Sequence, residues 1–377
     1  MSSTPYGASA PGSKERERLL LQHITNATKD KEGTMIRVKG KSIANFLISG
    51  CIVALVLMPA YAQDKGLPRT VSIATHPKGS LLNLIGGGFA KVITGHLPIQ
   101  ASDRPFTGYT AWLPLLNAGE LDMGIVTSPE SYVAYMAEGP YKQALKNLRI
   151  ISSGSGVVLS YVARADSGIK TMAEVKGKRV SIDKASYVTN IENKTVIRAA
   201  GVDPDKDITP VLVAGVAELM YSVMDGRSDA GWASVGSSQV KEVAGRVGGL
   251  RWLSVAGSAD DAAAKLIKEK VAGSRIIFVR AGSNPDVQND AWLLDTPIYL
   301  ATYKGFSEEA AYQITKTIWQ NQKELGAIHP KLKEWTTNVM VSPEVALPYH
   351  PGAIRFYKEV GAWPSSMDQA QKNLLGR

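Results

Sequence analysis

An α/β fold in two similarly built lobes, with a ligand cleft between them, is what the sequence predicts, and three observations predict it. Val71-Ser72-Ile73-Ala74 is a short β-rich alternation, followed by a turn at Thr75-His76-Pro77-Lys78-Gly79-Ser80 and then by Leu81, Leu82, Ile85, Phe89 and Val92 at helical spacing. The same strand-loop-helix order returns 109 residues later, where Val180-Ser181-Ile182 leads through 183–189 into a helical stretch ending at Ala199-Ala200-Gly201. Gly119-Glu120-Leu121-Asp122-Met123-Gly124 is echoed by Gly226-Arg227-Ser228-Asp229-Ala230-Gly231 at an offset of 107, so in each half a helix stops at glycine and a strand begins near an aspartate. Two echoes at nearly one offset are the mark of a duplicated unit.

The elements between and after the echoes complete this plan. Val157–Ala163 reads as a strand running into a crossing point at Asp166-Ser167-Gly168, and Thr171 followed by Glu174 is a capping-box signature for a short helix. Arg275–Val279 reads as a return strand. Ser307 can cap a helix carrying Ala311, Ile314, Ile318, Trp319 and Leu325 on one stripe, where those side chains belong to a core. One lobe is expected from residues 66–162 plus 275–377, the other from 163–274.

A chain of 377 residues holds two or three cores at about 150 residues each. With 44% hydrophobic and 20% charged residues it is neither disordered throughout nor a polytopic membrane protein. The formal charge is +9, but without the eight basic and four acidic residues of positions 1–62 it is +5 over 315 residues, with Lys and Arg dispersed among acids. Nucleic-acid binding would concentrate them in a stripe. The mild excess suits attraction of a small anion.

Met35-Ile36-Arg37-Val38-Lys39-Gly40-Lys41 is a basic opening, Phe46–Met58 is almost wholly apolar, and Pro59-Ala60-Tyr61-Ala62 supplies small residues. That order is a secretory signal at 35–62, with cleavage after Ala62 and a periplasmic destination. An uncleaved anchor would want about 20 apolar residues. Residues 1–34 are polar, so Met35 is read as the true start and 1–34 as a non-native extension. The sole cysteine, Cys51, has seven more apolar residues after it, where a lipidated cysteine would close the apolar region. The exported chain then has no thiol, which excludes disulfides, thiolate zinc sites and cysteine nucleophiles.

Catalytic and metal constellations are not visible. His76, His96, His329 and His350 have no partner at metal-ligand spacing, Ser153-Gly154-Ser155-Gly156 is not G-x-S-x-G, and Gly86-Gly87-Gly88 lacks the Lys-Ser/Thr of a phosphate loop. The triple glycine suits close packing of its helix instead. Asp122 and Asp229 suggest a carboxylate pair, yet both stand at helix-to-strand corners where Asp stabilises turns. The sequence therefore predicts no catalytic residue, no metal ligand and no cofactor.

Binding is the chemistry left. In open α/β sheets ligands gather beyond the C-terminal strand ends, where helix N-termini offer unpaired N–H groups and partial positive charge. Each half supplies one such place: Thr75, Lys78, Gly79 and Ser80 in the first, Ser186, Tyr187, Val188 and Thr189 in the second. Thr107, Gly108 and Tyr109 precede the helix ending at Gly119 and form one wall; Trp232 and Ser234 follow the strand starting near Asp229 and form the other. Lys78 reads equally as the partner of a carboxylate or as a solvated loop lysine.

Four segments in order carry a family likeness: Leu116–Val126, Arg164-Ala165-Asp166-Ser167-Gly168-Ile169-Lys170, Lys176-Gly177-Lys178-Arg179-Val180-Ser181 and His350–Glu359. From about Val71 to Trp363 the chain resembles the solute receptors of TRAP transporters, specifically the TAXI family. The resemblance implies a periplasmic binding protein of the type II-like, venus-flytrap kind. It would act as a monomer and not as an enzyme, capturing a small organic carboxylate and passing it to TRAP membrane permease subunits. A secreted enzyme or a non-transport sensor on the same fold is the alternative. Where the family carries Gly-Gly-Thr-Tyr-Tyr this chain has Gly79-Ser80-Leu81-Leu82-Asn83, and of Gly-Ser-Gly-Thr only Thr189 remains. Bulky Leu81 and Tyr187 at those places favour a less polar monocarboxylate over a dicarboxylate.

Overall fold

β1 (Thr70–Thr75) turns Val71, Ile73 and Ala74 inward, and just beyond it the Ser80 hydroxyl accepts the Asn83 amide to cap α1 (Leu81–His96). A serine oxygen there satisfies one of the amides that a helix start leaves without an acceptor. The chain is described here from a computed structural model over residues 66–376; the expected leader at 35–62 and the stretch before it lie outside the described residues. α1 packs along the sheet through Ile85, Phe89, Val92 and Ile93. Two of its three consecutive glycines permit that approach, because a methyl at Gly86 would stand 2.3 Å from the Thr75 methyl and one at Gly88 2.5 Å from Leu332.

The first half continues through β2 (Gln100–Pro105), α2 (Tyr109–Ala118), β3 (Met123–Thr127) and α3 (Ser128–Met136). β1 runs parallel to both β2 and β3. β4 (Leu148–Arg164) begins nine residues before the strand read from sequence. The second half repeats the first: β5 (Arg179–Asp183), α4 (Tyr187–Ala199), β6 (Thr209–Val213), α5 (Val216–Met224) and β7 (Ala230–Ser234), with β5 parallel to β6 and β7. The Thr171–Glu174 capping box is present. α6 (Ser238–Val247), β8 (Leu250–Trp252), α7 (Ala262–Lys270) and β9 (Arg275–Val279) precede the long β10 (Ala291–Tyr303).

One sheet runs β2-β1-β3-β10-β4-β7-β5-β6, with β8 on β4 and β9 on β10. Each half is three parallel strands closed by a fourth antiparallel one: β10 beside β3, and β4 beside β7. The paired aspartates of the echoes do the same work in each half. Asp122 accepts the Ser72 amide and hydroxyl at 2.8 Å each, and Asp229 accepts the Arg179 amide at 2.9 Å, in both cases 50 residues back along the chain. They tie the start of each half's central strand, β1 or β5, to the start of its parallel neighbour, β3 or β7, a structural role.

Three hydrophobic clusters form among the described residues. The first draws on residues 71–151 and 298–374 together with Val188; the second and third draw on residues between 159 and 294. The change-over falls inside β4, between Ile151 and Leu159, and inside β10, between Leu294 and Ile298. This corrects the expected break at 275: β9 pairs with the first half of β10, and its Ile276 packs in the second cluster. Glycine is required where β4 and β10 cross, for a methyl at Gly154 would meet the Trp335 ring and one at Gly156 would lie 1.9 Å from Asp295 Oδ1.

The C-terminal chain covers the first half with α8 (Glu308–Gln320), α9 (Gln322–Ile328), α10 (Thr337–Met340), α11 (Pro351–Glu359) and α12 (Ser365–Leu375). Ser307 caps α8 as expected, but Asn321 ends that helix, so Leu325 belongs to α9. Among the described residues no helix is long and apolar enough to cross a membrane.

Candidate functional site

α3 of the first half meets α4 of the second. Helical spacing puts Val188, Glu192 and Thr195 of α4 on one face. All three are buried, and Val188 packs in the first half's cluster, so this face meets the first half. Tyr187 lies against Gly139, whose φ of 56° a glycine adopts without strain and whose missing side chain leaves room for the ring.

Two of the expected site residues, Thr75 and Tyr109, are withdrawn from water in the first half. Thr75 is fully buried; its hydroxyl donates to the His76 carbonyl and accepts from Asn83. His76 stacks at a tilt on Tyr109 with ring centroids 4.3 Å apart, and its Nε2 is buried without a protein partner. Burial lowers the His76 pKa, favouring the neutral ring. Tyr109 opens α2 with its hydroxyl desolvated, which raises its pKa well above the ordinary value against the opposing pull of Thr127; the charges of Glu130 and Glu192 add to the rise.

Other expected residues are placed differently. Lys78 is an exposed loop lysine with no hydrogen bond or ion pair among the described residues, and Thr107 is exposed. Gly79 is in the left-handed region, with φ of 82°, and its amide donates to Asn83 Oδ1. Gly108 is an extended N-cap residue. Trp232 is corrected from cleft wall to core: it is 1% exposed and packs edge-on against Tyr161, 5.1 Å between centroids. Ser234 ends β7, paired with Leu159 of β4. No hydrogen bond joins 75–80 to 186–189 among the described residues.

The expected anion anchors are partly occupied by the protein itself. Ser80 takes the Asn83 amide, Ser186 takes the Thr189 amide, and Asp183 takes the amides of Ala185 and Ser186. Asp103 accepts the Asn83 side chain beside α1. Ser186 and Tyr187 also border a surface pocket of about 610 Å³, but all its lining residues lie between 182 and 212 and it belongs to the second half alone.

What the sequence reading missed is a pair of buried carboxyls. Glu130, in the first turn of α3, is 8% exposed and accepts the Tyr141 hydroxyl at 2.6 Å. Glu192, on α4, is 6% exposed and has no hydrogen-bond or ion-pair partner among the described residues. Burial raises the Glu130 pKa, with the Tyr141 bond opposing. Burial and then the charge of Glu130 push Glu192 up to about 8 from an ordinary 4.5. The available signal was Glu192 itself, an acid four residues after Val188 on the buried face.

Glu192 makes stability depend on pH with a definite sign. Its pKa rises on folding, so its contribution is fully present below about pH 4.5 and is lost as pH climbs through about 8. Urea midpoints of wild type and Glu192→Gln are expected to agree near pH 5 and to diverge in the variant's favour by pH 9. His350, whose pKa burial lowers to about 4, acts in the opposite direction in both proteins and cancels in the comparison. Parallel profiles for the two proteins would show that Glu192 is not held neutral by its surroundings.

Among the described residues no group of three or more His, Cys, Asp or Glu could hold a metal ion. The chain is 15% identical to the periplasmic aliphatic sulphonate binding protein SsuA of Escherichia coli, over 82% of this chain and 100% of that one, with a TM-score of 0.43. It is 12% identical to PhnD1 of Prochlorococcus marinus in complex with methylphosphonate, over 78% and 99%, with a TM-score of 0.47. To XAC2383 of Xanthomonas citri bound to ATP it is 11% identical, over 81% and 99%, with a TM-score of 0.45. A family model matches residues 73–361, from within β1 to just past α11, and the chain belongs to the NMT1-like family.

Proposed function

We propose that this protein is an extracytoplasmic solute-binding receptor whose two halves close over a small organic solute and present it to a membrane permease. The observation that carries this reading is the contact of α4 with the first half. Polar groups from both halves, Tyr109 and Glu130 on one side and Glu192 on the other, converge where the joining segments are β4 and β10. Closure about two strands that both halves share is hinge motion, and hinges of this kind serve binding and release. The export signal read at 35–62 supports a periplasmic setting. The ordered segments resembling TAXI-family receptors support a TRAP-type permease as the partner. An organic carboxylate, the ligand that resemblance favours, would have the first-turn amides that Ser80 and Ser186 leave over, with Lys78 at the rim.

Thermal unfolding of protein purified from the periplasm tests this against acetate, butanoate, succinate, 2-oxoglutarate and glutamate. A bound solute at 100 times its Kd is expected to stabilise by about 2.7 kcal/mol. Small-angle scattering with the same solute should show a smaller radius of gyration. A binding solute that leaves the radius unchanged would count against hinge closure.

A further inference from the structure

We infer that the solute held between the halves carries a protonated amine, seated between Glu130 of α3 and Glu192 of α4. This rests on the receptor reading above and names the chemistry of its ligand. Charge is unbalanced at the contact. Glu192 is more than nine-tenths buried and has no partner among the described residues, while Glu130, equally buried, has only the Tyr141 hydroxyl. No Lys, Arg or His is paired with either acid among the described residues. The ion pairs elsewhere among the described residues lie mostly at the surface; a buried one is that of Asp295, which has Arg275 at 2.6 Å.

A carboxyl taken out of water without a counter-charge costs several kcal/mol unless it takes up a proton or meets a cation. A proton can answer for each acid only singly. A cation between the acids answers for both, and because one acid comes from each half it also joins them, making closure conditional on the ligand. The chemistry of the site selects the cation. Two carboxyls with no third His, Cys, Asp or Glu beside them are too few for a divalent metal, which demands more oxygen ligands. An ammonium has three N–H donors and a compact charge, and two carboxyl groups accept it. The two α-helix starts expected to hold an anion have their third amides filled by Ser80 and Ser186, so the strongest unmet demand at this contact is for positive charge.

Matched probes test the inference by calorimetry at pH 8: butylamine against butanol, and 4-aminobutanoate against butanoate. Each amine is expected to bind at least tenfold more tightly than its partner, and Glu192→Gln to weaken both amines at least tenfold. Glu130→Gln should act in the same direction, and neither variant should lower the unfolding midpoint of the unliganded protein at pH 8. Amines that bind no better than their partners, or that bind Glu192→Gln as well as wild type, would overturn the inference. If butanoate or another acid binds and compacts the protein while amines do not, the receptor reading stands and the amine falls. If no amine or acid binds and the radius of gyration never changes, the receptor reading falls with it.

Discussion

Gly156→Val is expected to be among the most damaging single substitutions in this chain, costing about 3 kcal/mol or more of stability. Gly156 sits on β4 opposite Pro297 of β10, where the two halves change over. Even a methyl group there would lie 1.9 Å from Asp295 Oδ1 and 2.7 Å from the carbonyl carbon of Thr296. A flexible side chain could swing away, but the Thr296 contact is backbone, so relief requires β4 and β10 to separate. Overpacking in a well-filled interior typically costs 1–3 kcal/mol, and here it adds the loss of ladder hydrogen bonds. Gly87→Ala is the control: a methyl there meets nothing within 4 Å. It should be neutral or gain about 0.5–1 kcal/mol from the entropy of the helix glycine. Urea midpoints measure both, and a Gly156→Val midpoint matching wild type would refute the crowding argument.

Arg275→Ala is expected to cost about 3–5 kcal/mol at pH 8, because it leaves a buried carboxylate uncompensated. Arg275 Nε and one terminal nitrogen hold Asp295 Oδ2 at 2.9 and 2.6 Å, with the Asp295 side chain 5% exposed and that of Arg275 24%. Burial raises the Asp295 pKa even with Arg275 alongside, and its second oxygen is buried without a partner. Removing the guanidinium raises that pKa further. The stability of a group with a raised pKa is retained below its ordinary value of 3.8 and lost as pH increases, so the variant's deficit should shrink toward pH 4. Adding Asp295→Asn to Arg275→Ala should recover much of the loss at pH 8. A deficit independent of pH would mean the arginine acts by packing rather than by charge.

These positions separate what local sequence encodes from what it leaves open. Local sequence determined the strand-helix units, since Ser80, Ser186 and Ser307 cap helices by bonds to residues three positions on, and apolar spacing marks the inward faces. It also determined the duplication, because the tying aspartates recur at nearly one offset and do one job in both halves. Tertiary structure alone decided the rest. Whether Trp232 lines a cleft or fills a core depends on β7 pairing with β4 in the register that sets it opposite Tyr161, a residue 71 positions away that no local pattern identifies. Where the halves change over depends on how far β4 and β10 run together before each finds a new neighbour, and that register is set by packing across the sheet. Glu130 and Glu192 read locally as first-turn and mid-helix acids that belong in water. Only the meeting of α3 with α4 removes the water, and with it the dielectric that made their charges cheap.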